Sequence, residues 1–163
     1  MAMTMKVEGM EEISRMLTEL GTKAPEVAAQ SLYEGAKVMG DAFRQAANSI
    51  KAKRLKYPAP EGKKRLPSVE EKAAVVRAVG IAKFQKDGEG VDTIVGVGGS
   101  AGYADIAGHR KAVRLIARSI NSGTSFMDKQ PVFRQAKTKS QKAAAQAIAD
   151  KAEQMFNDIT GTK

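Results

Sequence analysis

The 163-residue chain contains no cysteine, which excludes disulfides, a thiol nucleophile and thiolate metal sites. It has one histidine, His109, so a His-rich metal or acid–base cluster is excluded as well. Acidic residues are scarce against basic ones: 18 Asp and Glu face 27 Lys and Arg, a net charge of +9. That balance favours acidic partners and says nothing about fold. No window approaches the ~18 apolar residues of a membrane span. The first residues show neither an apolar signal core nor a small-residue cleavage site. The expectation is a soluble protein made in a cytosol, with no membrane partner. There is no internal repeat. What is present is 42% apolar and 28% charged residues, enough for one domain over 1–163 with a real core.

Residues 3–8 read as a short strand, broken by Gly9. Met10, Ile13, Leu17 and Leu20 mark one face of a helix, with Gly21 in the position of a C-cap. Thr22 as N-cap and Pro25 in a first turn predict a second helix over 25–50, about 39 Å long. Gly35 and Gly40 lie inside it. They are either tolerated glycines or points where another element or subunit approaches closely. Residues 51–68 then form a long loop, broken by Pro58, Pro60, Gly62 and Pro67.

Ser68 with Glu71 predicts a capping box and a short helix over 69–76. The turn signal at 87–90 and the alternation of Val91, Thr93, Val95 and Val97 predict a hairpin pairing 78–86 with 91–97. Gly98, Gly99 and Gly102 read as a bend, 110–120 as a basic amphipathic helix and 121–124 as a turn. Residues 131–133 are extended or begin a helix, and Ala144, Ile148, Ala152, Met155 and Ile159 mark a long helix ending at Gly161. The fold class is α+β: a small antiparallel sheet with a hairpin packed against two long helices, one in each half, without alternating βαβ units.

Gly96-Val97-Gly98-Gly99-Ser100-Ala101 matches a dinucleotide fingerprint in letters only. That motif must open a helix within a βαβ unit, and none follows here. No Gly-Lys-Ser/Thr of a P-loop occurs in the segment. His109 has Asp105 nearby but no serine motif, so it reads as a surface or packing residue. No enzyme, no metal and no cofactor are expected. The basic loop is the strongest compositional signal. Lys51, Lys53, Arg54, Lys56, Lys63, Lys64 and Arg65 face one acid, Glu61. They suit DNA phosphates or an acidic partner, or simply solvent. Tyr57 alone is too little aromatic surface for a stacking platform.

Both ends carry ordered motifs. The first is Lys6-Val7-Glu8-Gly9-Met10-Glu11-Glu12-Ile13, followed by an Ala-rich helix from Pro25. The second is Gly123-Thr124-Ser125, a spacer, then Gln130-Pro131-Val132-Phe133-Arg134-Gln135-Ala136. In this order the motifs, over roughly 90 residues at the two ends, resemble the tail-completion, or head–tail joining, family of tailed bacteriophages. The chain departs from that pattern at three places. Asn121-Ser122 stands where the family has an acid, Val132 is inserted between Pro131 and Phe133, and the basic loop replaces a Pro-x-x-Gly-x-Leu segment.

The resemblance implies a structural, non-enzymatic virion protein at the neck, assembled in the bacterial cytoplasm. It implies a homo-oligomeric ring, hexameric first and dodecameric second, between the head connector or stopper and the tail terminator or tail tube. Genome DNA passes through such a channel. Gly123, Thr124, Ser125, Pro131, Phe133 and Arg134 are then the candidate subunit or partner interface. The alternative is a basic nucleic-acid-binding module acting through residues 51–65.

Overall fold

A computed structural model describes residues 10–54, 64–83, 85–87, 90–98 and 102–161. The chain runs through helix α1 (Met10–Ser49), helix α2 (Val69–Arg77), strands β1 (Val79–Ile81), β2 (Gln85–Asp87), β3 (Gly90–Asp92) and β4 (Val95–Val97). Strands β5 (Tyr103–Ile106) and β6 (His109–Ala112) follow, then helices α3 (Val113–Ser122) and α4 (Val132–Thr160). The α+β class expected from the sequence is the one observed, with two long helices and short antiparallel strand pairs. The expected strand over 3–8 lies outside the described residues. Among the described residues no helix is long and apolar enough to cross a membrane.

α1 is one helix of 40 residues, about 60 Å long, where the capping signals predict two. Gly21 and Thr22 do not cap; they sit within it. Pro25 removes one N–H, whose helical acceptor would be the Gly21 carbonyl, and leaves the rest of the ladder intact. Two local bonds span the same turn. The Thr22 hydroxyl donates to the Glu19 carbonyl at 2.9 Å, and Lys23 Nζ meets Glu19 Oε1 at 2.7 Å. These side chains are exposed, so each bond adds only a few tenths of a kcal/mol, roughly.

α1 and α4 pack along each other antiparallel. Gly35 faces Ile148 near one end of the contact, and Phe43 meets Phe133 near the other. At Gly35 the helices approach so closely that an added Cβ would lie 2.5 Å from Ile148 Cγ1 and 3.0 Å from the Ala144 carbonyl oxygen. Close approach, and not mere tolerance, therefore accounts for this glycine. α4 begins at Val132, a full three turns before the periodicity at Ala144 becomes legible.

The core gathers at the C-terminal end of α1. Ala47 and Ile50 meet Val75 of α2, Ile106 of β5, Ile116 and Ile120 of α3, Met127 and Phe133. The Phe43 and Phe133 rings pack edge-on, 5.7 Å apart with 64° between planes. The hairpin forms as expected. β1 pairs with β4 and β2 with β3, antiparallel. Ile81 faces Val95 while Gln85 faces Asp92, so the first arm carries one extra residue and the register shifts by a bulge.

The helix expected over 110–120 is corrected at its start. Residues 103–112 form a second hairpin, and α3 begins at Val113, not at Arg110. The turn is Ala107-Gly108, with φ of 52° and 77°. Positive φ at both positions is the requirement of the tight hairpin turn. Ala is a poor residue for it, which is why the turn is hard to see in the sequence.

Candidate functional site

The structure converts the base of the basic loop into a braced joint. Its two arms come together through Lys53 and Ser68, and Lys53 N–H donates to the Pro67 carbonyl at 3.0 Å. A second bridge joins Arg65 to Met127, with Arg65 N–H donating to the Phe126 carbonyl at 3.0 Å. Asp128 N–H returns a bond to the Arg65 carbonyl at 2.9 Å. Gln130 closes the assembly: its Nε2 donates to the Lys51 carbonyl at 2.9 Å, and its Oε1 accepts from Lys51 N–H at 2.8 Å. A side chain 79 positions away thus pins the start of the loop to the start of α4.

At the centre of the joint is Glu71. Ser68 caps α2 and Glu71 completes the capping box, as the sequence predicts. Glu71 N–H donates to Ser68 Oγ at 3.1 Å, and Ser68 N–H donates to Glu71 Oε2 at 2.8 Å. Its further role had no local signal. Arg65 donates from Nη1 and Nη2 to the two carboxylate oxygens, at 2.7 and 2.9 Å. Lys111 of β6 stands 3.6 Å away. The Glu71 side chain is 2% exposed and that of Arg65 16%, so this is a buried ion pair. Burial alone would push the carboxyl up. The Arg65 and Ser68 hydrogen bonds, with the charges of Arg65 and Lys111, outweigh it and hold Glu71 below the ordinary carboxylate value.

Of the candidate cations, Lys51, Lys53, Arg54 and Lys64 are exposed. Lys56 and Lys63 lie outside the described residues, as does Tyr57. Arg65 is not an outward charge; Glu71 holds it.

The C-terminal motif is equally structural. Gly123 ends α3 at φ 76°, donating to the Ser119 carbonyl at 2.8 Å, and an added Cβ would meet Lys129. Thr124 Oγ1 accepts from Met127 N–H at 3.0 Å and so tightens the following turn. Pro131 stands at the start of α4. Phe133 is 9% exposed and belongs to the core. Ser125 and Arg134 are exposed, and Arg134 N–H donates to Asn121 Oδ1 at 3.3 Å. Within the motif, Gln130 fastens the start of α4 to the loop and Phe133 fastens α4 to α1, while Thr124 shapes the turn that precedes them.

His109 is exposed on β6, opposite Ile106. Gly96 and Gly98 lie in and just after β4, and the next described element is a strand, which is not how a dinucleotide site is built. Among the described residues no three His, Asp or Glu side chains gather as a metal site would require. Comparison with protein-family models, with curated proteins and with solved structures gives no match.

Proposed function

We propose that this chain is a structural, non-enzymatic adaptor of a tailed-phage neck, forming a ring that completes the tail and joins it to the DNA-filled head. The observation that carries the proposal is the ordered pair of terminal motifs, at residues 6–13 and 123–136. The geometry supports it in one respect. The second motif is the joint that fixes two long helices against the loop, and such a rigid joint suits a subunit that must hold its shape between two larger assemblies. The ring is hexameric by analogy with tail symmetry, or dodecameric by analogy with the portal. Its partners are the head connector or stopper and the tail terminator or tail tube, and its place is the virion neck.

Inactivating the gene and examining the lysate by electron microscopy tests this. The expected outcome is DNA-filled heads beside separate tails. Intact, infectious virions would sink it.

A second reading is a nucleic-acid-binding module. It is favoured by the four exposed cations at the loop base, Lys51, Lys53, Arg54 and Lys64. Duplex affinity should then fall steeply with salt. Neutralising Lys53, Arg54, Lys63 and Lys64 together should weaken binding and flatten the salt slope. Arg65 is left out of that set, because its loss would strand a buried carboxylate.

A further inference from the structure

We propose that the free edge of β5 receives residues 3–8 of a neighbouring copy as an added strand, linking subunits head to tail. The proposal rests on the ring reading and supplies the interface that reading requires.

A cleft of about 1080 Å³ runs between α2 and β5. Val69, Ala73 and Val76 form its α2 wall, and Tyr103, Ala104 and Ile106 its β5 wall. No residue of β6 lines it. Two large side chains in it are open to solvent, Val69 at 48% and Tyr103 at 62%.

Among the described residues β5 pairs with β6 and with no other strand. Ile106 faces His109 across the two-residue turn, and the Val113 N–H donates to the Gly102 carbonyl at 3.1 Å in the same register. Residues 102, 104 and 106 therefore turn their backbone groups toward β6. Tyr103 and Asp105 turn theirs the other way, to the side where the cleft lies. An exposed edge beside a helix, with an apolar floor, is the geometry for strand addition.

The occupant follows from pattern and reach. Met3, Met5 and Val7 alternate with Thr4, Lys6 and Glu8, so a strand here has one apolar and one polar face. Residues 3–8 join α1 at Met10, whereas the cleft touches Asn48 and Ala52 at the other end. Met10 and Asn48 are about 57 Å apart along the helix. Residue 3, fully extended, reaches at most about 25 Å from Met10. The segment cannot reach its own cleft, and only another copy can supply it. Two different surfaces then meet, which closes a ring if the rotation allows and otherwise builds a filament.

Sedimentation velocity on the full chain, on a variant lacking residues 1–8, on Val7→Asp and on Asp105→Pro tests this. Proline at 105 removes an N–H that points away from β6, so the hairpin is retained, and circular dichroism melting checks that it is. The full chain should form oligomers and all three variants should sediment as monomers. A labelled peptide of residues 1–9 should bind the truncated chain saturably. Adding Asp105→Pro should weaken that binding at least about tenfold, through one lost main-chain bond and the bulk of the ring. Unchanged oligomers after truncation, a monomeric full chain, or a peptide that binds no better than a scrambled one would each overturn the proposal. Rings that persist without residues 1–8 would do so while leaving the neck reading intact. Intact virions without the gene would sink the neck reading and leave measured strand exchange standing.

Discussion

At the scale of single residues, a methyl group has opposite consequences at two glycines of the same helix. At Gly35 it would press on Ile148 at 2.5 Å and on a backbone oxygen at 3.0 Å, whereas at Gly40 it would rest on Ile81 at 3.5 Å. Alanine gains about 1 kcal/mol of helix propensity at either position. Gly40→Ala should therefore stabilise by up to about 1 kcal/mol. Gly35→Ala should destabilise by about 1 kcal/mol, because overpacking outweighs propensity there. Denaturant unfolding of the two variants checks this, and equal gains would refute the close contact. Glu71 is the other residue on which much depends. Removing one member of a buried ion pair costs about 3 kcal/mol, so Glu71→Gln should lower stability by that order. The pH dependence should change too. The folded carboxyl titrates below its unfolded value, so its stabilisation is complete above about pH 4.3 and is lost as pH falls through the folded value. Acid unfolding curves should show this loss in the parent protein and a flatter profile in the variant.

At the scale of elements, legibility followed locality. The α2 capping box, the first hairpin and the far part of α4 were readable, because each is written in neighbouring side chains. The second hairpin was not, since its turn uses alanine at positive φ instead of asparagine or glycine. Ala107→Asn or Ala107→Gly should relieve that strain and raise stability by about 1 kcal/mol, which a thermal melt would register. Gly21 and Pro25 are strong local signals that predict two helices, and the single helix α1 outweighs both. The candidate site divided in the same way. The exposure of Lys51, Lys53, Arg54 and Lys64 suits a charged loop read from composition. The capture of Arg65 by Glu71, the clamp from Gln130 to Lys51 and the burial of Phe133 depend on contacts between distant segments. Periodicity and spacing carry no record of those.

Over the described residues of the molecule, burial is concentrated at one end of α1. Core side chains cluster near residues 46–50 of α1, while every described side chain from Thr18 to Glu26 is exposed. Stability is therefore uneven along one helix. Native-state hydrogen exchange should find the amides of 20–28 exchanging at least about a hundredfold faster than those of 44–50. Uniform protection along α1 would contradict this anatomy.

The antiparallel pairing of α1 with α4 also sets a timetable for synthesis. α1 is made well before its partner. Ile148 leaves the ribosome 113 residues after Gly35, a wait of roughly 6–23 s at bacterial to eukaryotic elongation rates. Throughout that interval the face around Gly35 lacks the helix it packs on in the folded protein. A chaperone, or another nascent copy on the same message, is what can cover that face meanwhile.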